Sequence, residues 1–400
     1  MRLSTLAIRS VGAAVGAVLI WSASSGCSGD DAGAPPGEST PPRANPPTLH
    51  TPRVTPEDSL SSQAATLVYS QWGQNEDTIW RLASVGAPEP EAVATIAHAD
   101  SWGISASLSP AGDWIAYTAL SPDIFDPSVA ADAGAQVWAL PLSGGEPLLL
   151  AEDADVRVAP VWSPDASAVV YQRFDRQRNA TDLIRVTLED KVGAPLTSVT
   201  AAGSVFPLTF APDGDTFYLG RTTGAQVELL AVSSAGGEPR TVASIPGGIL
   251  GGWALSPERE RLVLANETNE GEWGLWVADL EAGSVARIQA EGLPADRELL
   301  RPVWHPRDAM VTLGTAPGPD GNGVLNVPLD GGQADRIAGP ERGLDAPVLW
   351  SPQGVDLVVE EYSEYPVQQR PTLRLITGDG QRHALAEGAE ATVIGWSTGQ

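Results

Sequence analysis

The sequence predicts an all-β fold, a β-propeller of seven four-stranded antiparallel blades. Three observations predict this fold. A proline-centred segment recurs about every 48 residues from residue 66 onward. The 400 residues include 42 Gly and 34 Pro, which is typical of a chain with many tight turns. The chain also has 13 Trp, more than its 5 Phe and 6 Tyr combined, and Trp can bury a large area between neighbouring sheets.

The proline segment marks the first hairpin of each repeat. A bulky residue comes first, then a turn in which proline pre-sets φ, then a β-rich run. The six copies are SLSPAGDWIAY (107–117), VWSPDASAVVY (161–171), TFAPDGDTFYL (209–219), ALSPERERLVL (254–264), VWHPRDAMVTL (303–313) and LWSPQGVDLVV (349–359). A bulky residue before each turn is expected to act as a wedge between successive blades.

A second alternating run follows in every repeat and supplies the third strand. The runs are QVWALPL (136–142), DLIRVTL (182–188), VELLAVS (227–233), GLWVADL (274–280), VLNVPL (324–329) and TLRLIT (372–377). A glycine-containing turn closes four of the six repeats, and a short last strand leads to the next one. Four short strands in about 48 residues are typical of a propeller blade.

The two ends of the repeat region predict how the ring closes. Segments 66–72, 78–84 and 91–96 supply three strands with no proline turn before them. The C-terminal segment ATVIGWS (391–397) supplies the missing first strand, so that the C-terminal strand joins the first blade. Six complete repeats and this shared blade make seven, with a six-bladed ring as the alternative.

Composition and charge exclude several functions. The chain has 24 Lys and Arg against 50 Asp and Glu, a formal net charge of −26, which argues against a nucleic-acid partner. It has one Cys and four His, and the histidines match no metal-binding spacing. Acidic pairs such as Glu360/Glu361 do not by themselves specify a glycosidase. We therefore expect neither a cofactor nor a bound metal, and no catalytic residue.

The N-terminal part has the features of an export signal and a tether. Residues 1–27 combine a positive start, a short apolar stretch and small residues before Cys27, which predicts a signal peptide. Residues 28–65 carry eight prolines and almost no large apolar residue, which predicts a disordered Pro-rich tether. The propeller then occupies residues 66–400. The small-residue segment ending at Cys27 resembles the lipobox of bacterial lipoproteins, which implies lipidation of this cysteine.

The repeats resemble the TolB-type β-propeller repeat. The pattern x-W-S-P-D-G/A followed by I/V-A-Y carries the resemblance, best in VWSPDASAVVY and TFAPDGDTFYL. Propellers of this type occur as a protein-binding component of the Tol system, as the gating domain of prolyl-oligopeptidase-like peptidases and in lipoproteins. The resemblance implies a binding platform. A peptidase lacks support because the sequence contains no G-x-S-x-G nucleophile motif.

Candidate binding residues lie in the loops between the second and third strands. The segment RFDRQRNAT (173–181) concentrates Arg173, Arg176 and Arg178 around Phe174, and an arginine-rich loop in an acidic chain suggests an acidic partner. The segment 361–371 carries Tyr362 and Tyr365. Aspartates before the third strand, Asp77 and Asp182, are expected to fix loops instead of binding a ligand.

These observations predict an exported, lipid-anchored propeller that serves as a non-catalytic scaffold in the cell envelope. Its partners are expected to be envelope proteins or peptides, together with the membrane through a lipid on Cys27. The alternative is a propeller enzyme, a lyase or a glycoside-acting protein, with its site at the central axis. An axis made of apolar and glycine residues would favour the scaffold.

Overall fold

The fold is a ring of seven four-stranded antiparallel sheets, as the sequence predicts. The computed structural model of the protein describes residues 65–83, 90–124, 133–200, 203–318, 321–340, 342–367, 370–386 and 390–397. These residues contain 28 β-strands and no α-helix. The predicted signal peptide, Cys27 and the tether up to residue 64 lie outside the described residues.

The strands of each blade follow one another from the central axis outward. Blade 1 consists of β28 (Ala391–Ser397), β1 (Thr66–Gln71), β2 (Glu76–Ala83) and β3 (Glu91–Ala97). Blade 2 consists of β4 (Ser105–Leu108), β5 (Trp114–Ala119), β6 (Ala135–Pro141) and β7 (Leu148–Ala154). Blade 3 consists of β8 (Val161–Trp162), β9 (Ala168–Asp175), β10 (Ala180–Thr187) and β11 (Gly193–Thr200). Blade 4 consists of β12 (Val205–Phe210), β13 (Thr216–Thr222), β14 (Gln226–Ser233) and β15 (Arg240–Pro246).

The remaining three blades have the same order. Blade 5 consists of β16 (Ile249–Leu255), β17 (Arg261–Glu267), β18 (Trp273–Asp279) and β19 (Val285–Ile288). Blade 6 consists of β20 (Leu299–Trp304), β21 (Met310–Gly318), β22 (Gly321–Pro328) and β23 (Asp335–Ala338). Blade 7 consists of β24 (Leu344–Trp350), β25 (Leu357–Tyr362), β26 (Thr372–Ile376) and β27 (Arg382–Ala384). In six of the seven pairs of neighbouring blades the first strands contact one another, which places these strands around the central axis.

The repeated proline turn has one geometry in most blades. Its serine hydroxyl accepts a hydrogen bond from the backbone N–H five residues later, at 3.0–3.2 Å, in the turns that begin at Ser109, Ser163, Ser256 and Ser351. The residue three positions after the serine has a positive φ, as at Gly112 with φ 74°. The motif recurs because each of these turns uses the same three features. A serine caps the turn, a proline sets φ, and the residue three positions after the serine adopts the left-handed region.

The C-terminal strand closes the ring. β28 pairs antiparallel with β1 and places Thr66 opposite Ser397 and Leu67 opposite Trp396. Residues from the last and first segments of the described chain therefore share blade 1. This confirms the predicted closure and the count of seven blades, because the joined blade completes its four strands.

Apolar clusters fill the space between neighbouring blades. Each of the seven blade-to-blade interfaces contains at least one cluster of buried side chains. The predicted tryptophan wedges lie in these interfaces. The indole N–H of Trp162 donates to Ser107 O at 3.3 Å, and that of Trp304 donates to Ala254 O at 2.9 Å. Each of these two wedges is therefore also hydrogen-bonded to the blade before it.

Buried aspartates hold the loops, as expected for Asp77. Asp77 is 2% exposed. Its carboxylate accepts hydrogen bonds from the backbone N–H of Ile104 at 3.0 Å and of Gly73 at 3.2 Å, and it lies 3.1 Å from Nε2 of His98. Because Gly73 belongs to the β1–β2 hairpin, and His98 and Ile104 begin and end the link between β3 and β4, one carboxylate fixes both of these connections.

Candidate functional site

The ring has two faces that differ in the connections they carry. Strand direction alternates within a blade, so the hairpins between second and third strands lie at one end of the ring, together with the links between blades. We call this end the hairpin face; it includes residues 72–75, 176–179, 223–225, 268–272 and 363–367. The opposite end is the Pro-turn face; it includes residues 109–113, 163–167, 211–215, 256–260, 305–309 and 351–356.

The predicted arginine segment forms the hairpin of blade 3. Arg173 forms ion pairs with Asp153 at 2.5 Å and with Asp182 at 2.9 Å. Arg178 forms ion pairs with Asp182 at 2.6 Å and with Asp175 at 2.7 Å. Asp182 is only 3% exposed, and it binds both guanidinium groups at the base of the hairpin.

The strands of this hairpin extend further than the sequence indicates. The segment 173–181 was expected to be a loop, but Arg173 and Phe174 belong to β9, and only residues 176–179 connect it to β10. Arg173 lies directly opposite Asp182 in the ladder, and Phe174 lies opposite Thr181. A cross-strand pair of opposite charges stabilises the extended ladder, which explains the difference.

The charges of the two paired arginines are compensated within the protein. The hydrogen bond to Asp153 raises the pKa of Arg173, and hydrogen bonds from Arg178 lower the pKa of Asp175. Three aspartates thus neutralise Arg173 and Arg178, which removes the reason to expect an acidic partner at these two side chains. Arg176 is exposed in the same hairpin.

The two predicted tyrosines have different surroundings. Tyr362 ends β25 and is not in a loop; its hydroxyl donates to Glu360 at 2.6 Å, and burial raises its pKa. Tyr365 is 44% exposed, and its hydroxyl donates to Glu298 at 3.3 Å. Burial also raises the pKa of Glu298. Tyr365 therefore belongs to the hairpin face, whereas Tyr362 is part of a network between blades 6 and 7.

The predicted residues do not form one cluster. The arginine hairpin belongs to blade 3, and Tyr365 belongs to the hairpin of blade 7, three blades away around the ring. Both hairpins nevertheless open on the hairpin face. Two further apolar residues of this face were not predicted, Ile249 at the start of β16 and Val367 in the blade 7 hairpin. The glycines on both sides of Ile249, in GGILGG, were a signal that could have identified it.

Exposed large apolar side chains concentrate on the hairpin face. The described residues include seven of them: Phe174 (44%), Val192 (66%), Ile249 (48%), Ile337 (42%), Val355 (55%), Tyr365 (44%) and Val367 (47%). Phe174, Ile249, Tyr365 and Val367 lie on the hairpin face. Val192 and Val355 lie at the opposite end of the ring, and Ile337 lies on the outermost strand of blade 6.

Most side chains of the strands around the axis are apolar or small. In the seven innermost strands, all of them within the described residues, the ionisable side chains are Arg301 and Asp345. Three glycines, Gly251, Gly252 and Gly395, also lie in these strands. The innermost strands therefore consist mainly of apolar and small residues.

Both ionisable residues of the innermost strands are bound to side chains of blade 7. Arg301 forms an ion pair with Glu360 at 2.6 Å, which links blade 6 to blade 7. The carboxylate of Asp345 accepts two hydrogen bonds from Arg382, each 2.8 Å long, within blade 7. Burial raises the pKa of Asp345, although Arg382 acts in the opposite direction. These pairs stabilise a buried region, which is a structural role.

Neither a metal cluster nor a membrane-spanning helix is found in the described chain. Within the part of the chain that the structure describes, no group of three or more His, Cys, Asp or Glu side chains is placed to hold a metal ion. In the same residues, there is no helix with the length and apolar character needed to span a bilayer.

Comparisons with known proteins show the fold. No protein-family model matches the chain, and no curated protein matches it by sequence. Acylaminoacyl peptidase from Pyrococcus horikoshii matches with a TM-score of 0.54 and 14% identity, over 80% of this chain and 50% of that chain. TolB from Acinetobacter baumannii matches with a TM-score of 0.46 and 15% identity, over 68% of this chain and 66% of that chain. The chain thus spans half of that peptidase and just under two thirds of that TolB.

A third match differs from this chain in how its ring is closed. The β-propeller domain of the trilobed protease from Pyrococcus furiosus matches with a TM-score of 0.52 and 13% identity, over 82% of this chain and 95% of that domain. That domain is described as having an open velcro topology. In this chain β28 pairs with β1 instead. At these identities the matches establish architecture and not activity, and the chain is a seven-bladed β-propeller closed by its own C-terminal strand.

Proposed function

We propose that this chain is an exported, lipid-anchored β-propeller that serves as a non-catalytic protein-binding scaffold in the cell envelope. One observation carries the proposal: four of the seven exposed large apolar side chains among the described residues lie on the hairpin face. Exposed aromatic and aliphatic side chains on a rigid frame are typical of protein-binding surfaces. The partner is an envelope protein or peptide that contacts Phe174 and Arg176 on one side of this face and Tyr365 on the other.

The topology supports an orientation for the anchored protein. β1 is the second strand of blade 1, so Thr66 lies at the Pro-turn end, and the preceding tether would join the ring there. A lipid on Cys27 would then attach the ring from the Pro-turn side. The hairpin face would be directed away from the anchoring membrane, where a soluble or membrane-bound partner can reach it.

The enzyme alternative requires reactive groups at the axis. Arg301 and Asp345 are the ionisable residues of the innermost strands, and both are engaged with partners from blade 7. A residue held in a buried ion pair is poorly placed to transfer a proton to a substrate. This arrangement favours the scaffold over a lyase or a glycoside-acting enzyme.

The test is a crosslinking pulldown from intact cell envelopes with two matched double variants of the full chain. Phe174→Ser with Tyr365→Ser removes two apolar contacts from the hairpin face. Val192→Ser with Val355→Ser removes two comparably exposed apolar side chains from the opposite end. We expect the first variant to lose the partners captured by the wild type and the second to retain them. Equal capture by the two variants would contradict the proposed face.

A further inference from the structure

A patch of apolar and acidic side chains lies on the hairpin face where blades 5, 6 and 7 meet. Its members, which we call the blade 5–7 patch, are Ile249, Glu267, Glu298 and Tyr365. Ile249 begins β16, and Glu267 lies directly opposite it at the end of β17, so both side chains are on the same side of blade 5. Tyr365 comes from the hairpin of blade 7, and its hydroxyl lies 3.3 Å from the carboxylate of Glu298, in the link before β20.

The inner strands of blades 5 and 6 bring these residues close together. A Cβ on Gly251 would clash with the carbonyl oxygen of Leu299, so β16 and β20 are in backbone contact there. Ile249 is two residues before this contact on its strand, and Glu298 is one residue before it. Because both strands run from the hairpin face toward the Pro-turn face, Ile249 and Glu298 lie beside each other at the hairpin end.

Glu298 carries a partly buried charge that no cation compensates within the described residues. Burial raises its pKa, and the nearby charge of Glu267 raises it further. The donor to its carboxylate is the neutral hydroxyl of Tyr365, which acts on the pKa in the opposite direction. A carboxylate that has lost part of its hydration and lies near a second carboxylate is stabilised when a cation binds beside it.

The arginines nearest to this carboxylate along the chain are bound elsewhere. Arg301 forms its ion pair with Glu360 at 2.6 Å. Arg297 lies against Gly318 and is 3.8 Å from Asp296. In the part of the chain that the structure describes, neither arginine forms an ion pair with an acid of the blade 5–7 patch. The patch therefore presents two carboxylates without a neutralising arginine from this segment.

The apolar members restrict the partner further. Ile249 is 48% exposed, Tyr365 is 44% exposed, and Val367, two residues later, is 47% exposed. Exposed apolar side chains favour an apolar contact, and the face of a tyrosine ring attracts a cation. An acidic segment would be repelled by the two carboxylates. Lysine and arginine side chains combine an apolar stem with a cationic head, so they fit both parts of the patch.

We propose that the blade 5–7 patch binds a lysine or arginine side chain of the protein partner, within a segment whose adjacent residues are apolar. The cationic head pairs with Glu298 and Glu267, the stem lies along Tyr365, and an adjacent apolar side chain packs on Ile249. This inference rests on the proposed protein-binding role of the hairpin face, and it adds the chemical class of the segment that binds there.

The test measures the binding of capped tripeptides to the complete protein by NMR shifts of the Ile249 methyl groups. The probes are Leu-Lys-Leu and Leu-Arg-Leu, with Leu-Gln-Leu as the neutral analogue and Leu-Glu-Leu as the acidic one. The variant Glu298→Gln removes the charge but keeps an acceptor for the hydroxyl of Tyr365, so we expect the fold to be retained. Thermal unfolding checks that it is.

The matched control is Asp356→Asn, on the Pro-turn face. Burial raises the pKa of Asp356, as it does for Glu298, and no cation pairs with Asp356 among the described residues. Its carboxylate accepts a hydrogen bond from the backbone N–H of Gly378 at 3.2 Å, and asparagine keeps an acceptor there. Each variant changes the formal net charge of −26 by one unit, so a general attraction of cations to this acidic chain affects both equally.

We expect at least one basic peptide to shift the Ile249 signals and to bind roughly tenfold more weakly to Glu298→Gln than to the wild type. Its affinity for Asp356→Asn should equal that for the wild type, and the neutral and acidic peptides should bind more weakly than the basic ones. Three results would overturn the proposal: neither basic peptide binds at millimolar concentration, Leu-Gln-Leu binds as tightly as both basic peptides, or Asp356→Asn weakens binding as much as Glu298→Gln.

The peptide titration and the envelope pulldown can fail separately. If the pulldown depends on Phe174 and Tyr365 but no basic peptide binds, the hairpin face remains the scaffold surface and the inference about a basic side chain is wrong. If the basic peptides bind as expected but the Phe174 and Tyr365 double variant keeps all its partners, the patch binds cations and the proposed scaffold face is wrong.

Discussion

The hydroxyl of Ser397 donates a hydrogen bond of 2.7 Å to the carbonyl oxygen of Gly112, a residue 285 positions earlier in the chain. Ser397 ends the strand that closes blade 1, and Gly112 lies in the Pro turn of blade 2. The contact is buried and joins the end of the described chain to the second blade. Closure is therefore secured twice, by strand pairing within blade 1 and by this bond to its neighbour.

Gly112 can be used to test the closure energetically. It has φ 74°, and a Cβ at this position would come within 2.9 Å of Ser397 Cα. Gly144 has φ 89°, but a Cβ there would meet nothing within 4 Å. Both changes to Ala carry a conformational cost of about 1–2 kcal/mol. Gly112→Ala also pushes the backbone at Ser397 away from the turn. We therefore expect Gly112→Ala to lower the free energy of unfolding by about 1 kcal/mol or more in addition to the loss caused by Gly144→Ala.

Chemical denaturation of the two variants measures this difference. If Gly112→Ala and Gly144→Ala lose the same free energy of unfolding, the contact with Ser397 contributes nothing to closure. The comparison is informative because both glycines occupy turns with positive φ, so that the local backbone cost is shared.

Two buried tryptophans allow a second comparison. Trp304 donates its indole N–H to Ala254 O at 2.9 Å, whereas the indole N–H of Trp253 is buried with no partner among the described residues. The two side chains are 8% and 6% exposed. Trp304→Phe and Trp253→Phe remove similar buried area, but only the first breaks an interblade hydrogen bond. We expect Trp304→Phe to be about 1 kcal/mol more destabilising in thermal or chemical unfolding. A larger loss for Trp253→Phe would contradict this role.

Acid stability should depend on Asp165. Hydrogen bonds from Ser163 and Ser167 lower its pKa to about 2, from an ordinary value of 3.8. Because the folded pKa is depressed, this carboxylate stabilises the fold above about pH 4, and the contribution is lost as the pH falls toward 2. The side chain is largely exposed, so solvent screening limits the contribution to below about 1 kcal/mol.

The variant Asp165→Asn isolates this contribution from the other acids of the chain. We expect the wild type to be the more stable of the two at pH 7, and the difference in unfolding free energy to shrink between about pH 4 and pH 2. A difference that stays constant over that interval would show that the hydrogen bonds to Ser163 and Ser167 do not favour the ionised form. NMR titration of the Asp165 carboxyl carbon gives the pKa directly.

The predicted anchor is tested by fractionation. Cys27→Ala removes the thiol that a lipid would modify, so the protein should leave the membrane fraction and appear as a soluble exported protein. Two or more acyl chains are needed for stable anchoring, which makes the loss nearly complete. Cys27→Ala protein that remains in the membrane fraction in the wild-type amount would exclude this anchor.

Much of the fold could be predicted from the sequence because each repeat carries its own structural signals within a short segment. Most proline turns carry their own capping serine and their own positive-φ residue, so that six blades can be recognised from segments of about 11 residues. The seventh blade was predicted because Trp396 occupies the position that Trp162, Trp304 and Trp350 occupy elsewhere. A pattern that repeats along the chain reveals the architecture even without an alignment.

The site was less predictable because its contacts are long-range. Arg173 was expected to be available for a partner, but Asp153, from the preceding blade, pairs with it. Tyr362 was expected on a surface loop, yet it shares Glu360 with Arg301, a non-glycine residue with φ 44° in an irregular part of β20. No spacing in the sequence indicates which charges meet across neighbouring blades. The exposed side chains of Phe174 and Tyr365 depend less on such contacts, and their residue type and position at or near a hairpin were enough to single them out.

The pairing of Thr66 with Ser397 also bears on how the gene could be rearranged. Since these residues lie opposite each other in adjacent strands, a short linker could join them and new termini could be cut into another blade. Such a circular permutant would keep all 28 described strands in place and would show whether the order of synthesis matters for assembly. Because the two ends of the ring are adjacent, the closed structure does not require any particular blade to come first in the sequence.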